Sequence, residues 1–232
     1  MSIAENIARV RENIARAAAE AGRSAGEITL VGASKMNDAA ACREAVSAGI
    51  DALGENRVQE MTAKLAEHAY DGVPLHFIGH LQRNKVRQVV GKVDLIESVG
   101  SRELLEAVSA QAEKLGIVQD ILLEVNIGDE ASKSGFADSA LFSAAETALG
   151  LSGIRVRGLM CIPPVTEEEH GSVGYFERVR GFYVDINEKV YHNSFDMLSM
   201  GMSGDYEDAV RCGATIVRVG TAIFGRRNYN VT

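Results

Sequence analysis

Ile3, Ile7, Val10 and Ile14 recur at three- and four-residue intervals, the spacing of one helical face. Ser2 followed by Glu5 has the form of a capping box, and Gly22 lies where the pattern stops. The spacing therefore predicts an amphipathic helix that ends near this glycine. Beyond it the period changes, and short apolar runs alternate with helical ones. Strands are predicted over 28–33, 52–54, 75–78, 93–98, 121–127, 156–160, 197–200 and 215–219. Helices are predicted over 39–48, 58–69, 85–90, 102–115, 139–149, 173–190 and 206–212. Gly49, Gly91, Gly116, Gly150 and Gly213 stand at or near their ends, as helix C-caps do.

The strand candidates are mostly continuous apolar runs rather than alternating ones, as expected of parallel strands buried on both faces. Eight of them with intervening helices point to an α/β protein, a single (β/α)8 TIM barrel with an extra N-terminal helix. The competing architecture is an open doubly wound sheet, which usually carries a glycine-rich loop after its first strand. Here the first strand runs into SKMND, without a glycine. No linker or low-complexity tract interrupts the chain, and its 232 residues suit one barrel, so residues 1–232 are expected to form one domain.

Composition narrows the partners. A formal charge of −8 argues against a general nucleic-acid binder, which needs a basic footprint. No apolar run is long enough to cross a bilayer, and the amphipathic N-terminus lacks the unbroken apolar core of a signal peptide. Cys42, Cys161 and Cys212 are scattered and odd in number, so neither a disulfide framework nor a metal centre is expected, and a reduced, cytoplasmic setting fits.

Active sites of such barrels form at the C-terminal ends of the strands. The polar residues there are Lys35, Glu55, Asn56, His80, Ser98, Asn126, Ser199, Ser203, Arg218 and Thr221. Lys35 follows the run LVGA and Ser34; partial desolvation there would lower its pKa and free the amine for attack on a carbonyl. A surface lysine snorkelling at a strand end meets the same pattern. The last two loops read LSMGMSGD and VRVGTAIFG. Their hydroxyls at Ser199, Ser203 and Thr221, with Gly201 and Gly220, could form the phosphate site that barrels commonly build after strands seven and eight. Arg218 sits between Val217 and Val219 and needs a buried partner, either a structural carboxylate such as Glu55 or a ligand. A lysine, a phosphate cradle and an arginine together suggest pyridoxal 5′-phosphate, whose pyridine nitrogen an arginine can face.

Several segments carry a resemblance: VGASK at 31–35, GENRVQE at 54–60, HFIGHLQRNK at 76–85, VNIGDEASKSG at 125–135, RGLMCI at 157–162, LSMGMS at 198–203 and VRVGTAIFGRRNY at 217–229. Spread in order over nearly the whole chain, they resemble the pyridoxal phosphate homeostasis proteins, single-barrel relatives of the alanine racemase N-terminal domain. The resemblance implies a cofactor bound as a Schiff base on Lys35, with Ser199, Gly220 and Thr221 holding its phosphate and Ser203 helping. It also implies that Arg218 faces the pyridine nitrogen and that Asn56 lies near the ring. Some relatives carry proline where this chain has His80, so no required role is assigned to that residue.

His76 is read as a satisfied core or strand-end histidine, and Lys133, in the loop after the fifth strand, as a surface lysine or a second amine for the aldehyde. Arg83, Lys85 and Arg87 read as the solvated face of a short helix. Three functions compete. The first is a carrier that buffers pyridoxal phosphate in vitamin B6 homeostasis and passes it to apo-enzymes. The second is a racemase-like enzyme, which needs proton donors on both faces of the reacting carbon. Lys35 serves one face; Tyr206 and Tyr229 are conceivable donors for the other, and no motif supports them. The third is a sugar-phosphate barrel enzyme, which leaves Lys35 and Arg218 unexplained.

Overall fold

The computed structural model describes residues 1–128 and 134–225. Its strands are β1 (Thr29–Ala33), β2 (Ala52–Glu55), β3 (Leu75–Phe77), β4 (Leu95–Val99), β5 (Gln119–Val125), β6 (Ile154–Cys161), β7 (Met197–Ser199) and β8 (Ile216–Val219). They pair in parallel and in chain order, and β8 returns to β1, closing the barrel with Val31 beside Arg218. This is the architecture expected from the apolar runs, and the strand bounds move by two residues or fewer.

The helices are α1 (Ile3–Glu20), α2 (Ala39–Ser47), α3 (Val58–Ala66), α4 (Val86–Val89), α5 (Arg102–Leu115), α6 (Asp138–Leu149), α7 (Val173–Lys189), α8 (Tyr206–Arg211) and α9 (Thr221–Phe224). The short α9 lies where only a loop was expected; it is a single turn, too brief to show a helical period. The capping box of α1 is present, with Ser2 Oγ accepting from the Glu5 amide and Glu5 accepting from the Ser2 amide. Ile7, Val10 and Ile14 are buried, each contributing roughly 1.5 to 3 kcal/mol by the area removed from water. This face packs on α2, α8 and α9, across the seam where β8 meets β1, and Asn6 Nδ2 donates to the Ile223 carbonyl at 2.8 Å.

The core is divided by the barrel wall. Val31, Ala52, Leu95, Leu122, Met160 and Ile216 fill the interior, while a larger cluster lies between strands and helices. Side chains alternate along a strand. The next inward positions above this interior layer are therefore Ala33, Gly54, Glu97, Glu124, Ile162 and Arg218. Lys35, Asn56, Asn126 and Gly220 follow just beyond the ends of β1, β2, β5 and β8, at the mouth.

Candidate cofactor site at the barrel mouth

Lys35 is half-buried where β1 ends, two residues beyond Ala33. On the neighbouring strand Gly220 lies alongside Ala33; a Cβ on Gly220 would stand 3.3 Å from the Ala33 carbonyl oxygen. Barrel closure thus brings Gly220 against the end of β1, two residues before Lys35, from the opposite end of the chain. Asn56, half-buried, follows β2, and its Oδ1 is buried with no hydrogen-bond partner. Gly79 packs directly on Asn56: a Cβ there would meet the Asn56 carbonyl oxygen at 2.3 Å, so any larger residue would displace the asparagine. Ser98 Oγ ties the end of β4 to the same turn, donating to the Gly79 carbonyl at 2.5 Å.

Ser203 stands against the first turn of α9. Its Oγ accepts from the amides of Gly220 at 3.1 Å and Ala222 at 3.3 Å. A hydroxyl that accepts two N–H groups still has its own proton to donate. The N-terminal turn of α9 and this hydroxyl together suit an oxyanion. Thr221 is exposed beside them. Gly201, at φ 91, lets the β7–α8 loop reach this point; a Cβ would lie 2.5 Å from that of Ala209. Ser199 is placed elsewhere. It is fully buried inside the barrel, donating to Glu97 Oε2 at 2.6 Å and accepting from Arg218 Nη1. Of the three candidate hydroxyls, only Ser203 bonds to the start of α9.

Arg218 is 3% exposed, and its partner corrects the expectation of Glu55. Nη2 donates to the Cys161 carbonyl at 2.9 Å, and Nη1 lies 3.7 Å from Glu97 Oε2. His76 Nδ1 lies 2.7 Å from Glu97 Oε1, so the core histidine serves this network. Burial alone would raise the Glu97 carboxyl. The hydrogen bond and charge of His76, then the charge of Arg218 and the Ser199 bond, outweigh it and hold Glu97 below the ordinary glutamate value. Glu97 is therefore the counter-ion that keeps a charged Arg218 inside the barrel. The sequence signal for it was a single carboxylate in the otherwise largely apolar run LIESV. Glu55 pairs instead with Lys64 at 2.6 Å and accepts from Ser34 Oγ at 2.7 Å and Tyr70 Oη at 3.0 Å.

Glu124, also inward and buried, behaves oppositely. Burial pushes its carboxyl up, against the Ser134 hydrogen bond and the charges of His80 and Arg218. Such a group adds stability that is complete below the ordinary glutamate value and is lost as pH rises through its raised value. A Glu124→Gln variant of the apo-protein is therefore expected to melt above wild type at neutral pH, with the difference closing toward about pH 4. Equal melting temperatures at pH 7 would refute this assignment.

The Tyr206 hydroxyl accepts from Asn13 Nδ2 of α1 at 2.8 Å, on the outer side of the wall, so it is no donor to the mouth. Tyr229 and Lys133 lie outside the described residues. Among the described residues no cluster of His, Cys, Asp or Glu could hold a metal ion, and no helix is long and apolar enough to cross a membrane. A groove of about 1080 Å³ runs past Val184, Arg211 and Cys212 and shares no residue with the mouth. A second, of about 670 Å³, includes Ser203 and Ala222 and so borders the cradle.

The alanine racemase N-terminal domain family matches residues 6–228. The pyridoxal phosphate homeostasis protein of Aquifex aeolicus is 41% identical over 229 residues, covering 99% of this chain and 100% of that protein. The protein of the same name from Escherichia coli K12 is 40% identical over 232 residues, covering 98% of each. Among solved structures, PipY of Synechococcus elongatus PCC7942 with pyridoxal phosphate bound superposes with a TM-score of 0.85 at 34% identity, covering 97% of this chain and 100% of PipY. Alanine racemase of Streptomyces coelicolor A3(2) shares the fold at a TM-score of 0.73 and 20% identity; 98% of this chain covers 59% of that one. The chain thus belongs to the pyridoxal phosphate homeostasis protein family, built on the alanine racemase N-terminal barrel.

Proposed function

We propose that this chain binds pyridoxal 5′-phosphate as a Schiff base on Lys35 and serves as a cofactor carrier in vitamin B6 homeostasis. The observation that carries the reading is the alignment of Lys35 at the mouth, Gly220 beside its strand and Arg218 below, held charged by Glu97. The residues suit the cofactor: the buried Asn56 Oδ1 has no hydrogen-bond partner, and Ser203 with the start of α9 forms a cradle of phosphate chemistry. Asn56 would lie near the ring, and Ser203, Gly220 and Thr221 would hold the phosphate. Ser199 acts through Arg218, which it orients from inside the barrel.

The cofactor supplies an aldehyde for an amine and a ring that withdraws electrons when its nitrogen is protonated. Arg218 decides how strongly. A guanidinium stays protonated and only donates hydrogen bonds, so it favours an unprotonated ring nitrogen. That weakens the electron sink on which racemases depend. Tyr206, one of the two tyrosines weighed as a second proton donor, has its hydroxyl against Asn13 of α1 on the outer side of the wall. Both features support carriage over turnover. Delivery to apo-enzymes that need the cofactor, in a reduced cytoplasm, belongs to the same proposal.

Titrating apo-protein with pyridoxal phosphate should produce an absorbance band at the violet edge of the visible that borohydride abolishes. Holo-protein should restore activity to an apo-enzyme while failing to racemise a panel of amino acids. Robust turnover on any common amino acid would establish the racemase-like alternative instead. For the cradle, Ser203→Ala is expected to weaken retention by about 1.5 to 3 kcal/mol, one charge-assisted hydrogen bond. Pyridoxal without its phosphate should bind wild type far more weakly; equal binding of the two forms would remove the phosphate site from these loops.

A further inference from the structure

We infer that Glu60, on α3, is a positioning residue for Lys35: its carboxylate holds Met36 in a left-handed conformation and so sets the direction in which the Lys35 amine leaves β1. The inference rests on the reading of Lys35 as the amine that takes the cofactor. Met36 has φ 62, a conformation that a side chain with a Cβ adopts at a cost in free energy. Core packing does not force it, because Met36 is 53% exposed. The Met36 amide donates to Glu60 Oε2 at 2.7 Å, a charge-assisted bond that fixes the plane of the peptide between Lys35 and Met36 and so favours the turn that starts there.

The peptide before Lys35 is held from the same helix. Lys64, one turn beyond Glu60, donates from Nζ to the Ser34 carbonyl at 2.9 Å. Lys64 is itself fixed by Glu55 Oε1 at 2.6 Å, and Glu55 also accepts from the Ser34 hydroxyl at 2.7 Å. Arg57 Nη1 at 3.6 Å and Lys64 Nζ at 4.0 Å flank the Glu60 carboxylate. The carbonyl preceding Lys35 and the amide following it are thus both gripped by one face of α3. Strain at a reactive residue persists only where the surroundings over-determine it, and here they do. The segment GENRVQE acquires a second purpose: besides placing Asn56, it supplies Glu55 and Glu60 to the Lys35 turn.

The test is a double-mutant cycle in the full chain. Wild type, Glu60→Ala, Met36→Gly and the double variant are titrated with pyridoxal phosphate at several pH values. The violet band is read, the adduct is trapped with borohydride, and mass spectrometry locates it. Glu60→Ala is expected to weaken covalent retention about tenfold, or about 1.4 kcal/mol, and to shift the pH profile of the band. Glu60→Gln keeps an acceptor for the Met36 amide and should retain most of the wild-type behaviour. Glycine populates left-handed backbone freely. In the Met36→Gly background the loss from Glu60→Ala should therefore shrink to about twofold or less. An equal loss in both backgrounds, or unchanged retention and profile in Glu60→Ala, overturns the inference while leaving Lys35 as the amine. A wild-type adduct on another residue overturns the reading of Lys35 and the inference with it. Should Glu60→Ala not fold, hydrogen exchange in wild type decides: slow exchange of the Met36 amide supports the bond, and exchange at the rate of an open loop refutes it.

Discussion

A Lys35→Ala variant is expected to lose all borohydride-trappable cofactor. Covalent capture of the aldehyde needs an amine, and Lys35 has the position for it, half-buried just past the end of β1, whose last residue, Ala33, lies against Gly220. The other buried lysine near this turn, Lys64, is only 6% exposed and is engaged by Glu55 and the Ser34 carbonyl. It cannot reach the mouth without abandoning both. Residual binding through the phosphate cradle should survive as a weaker, reversible association that borohydride does not lock onto the protein. The measurement is mass spectrometry of the peptides after reduction, with the violet band as a second readout. An adduct of wild-type yield in Lys35→Ala, or one centred on Lys133, would end the assignment.

Glu97→Ala should be the most damaging single change to the barrel. It leaves Arg218, 3% exposed, as a buried cation without its carboxylate, and strips partners from His76 and Ser199. Removing one member of a buried ion pair costs about 3 to 5 kcal/mol. In a chain of this length that lowers the melting temperature by about 10 °C. Glu97→Gln, which keeps the shape and some hydrogen bonding, should lose less. The pH dependence has a definite sign. The Glu97 carboxyl is held below its ordinary value in the folded state, so its stabilisation is full above the unfolded value and is lost as pH falls through the folded one. The advantage of wild type over Glu97→Gln should therefore shrink in acid. Urea denaturation at neutral pH and in acid measures both effects. A loss below about 1 kcal/mol for Glu97→Ala would show that Arg218 is carried by the Cys161 carbonyl and Ser199 alone.

The two variants report on different strengths of sequence reading. Lys35 is marked by its place after an apolar run and by the motif around it. Glu97 passes as one residue of a strand, because its partners His76, Ser199 and Arg218 lie 21, 102 and 121 positions away. The phosphate hydroxyls show the same limit. Ser199 and Ser203 occupy one short motif and look equivalent along the chain. Yet β7 carries Ser199 into the interior, and the loop after it brings Ser203 to α9. Strand direction divides them, and that is set only when β7 takes its place between β6 and β8.

The sequence by itself determined the alternation of strands and helices, hence the parallel barrel. Continuous apolar runs and glycine caps are local signals, and eight parallel strands with covered faces have few ways to close. It also marked Lys35, Asn56, Gly220 and Arg218 as candidates through residue type and place in a strand or loop. Tertiary structure alone decided the partners: Glu97 rather than Glu55 for Arg218, Ser203 rather than Ser199 for the start of α9, and Glu60 for Met36. Each is a contact between elements whose register and facing depend on closure of the whole sheet. A buried charge must find a partner, but which carboxylate it meets depends on three-dimensional proximity, and that has no local signature.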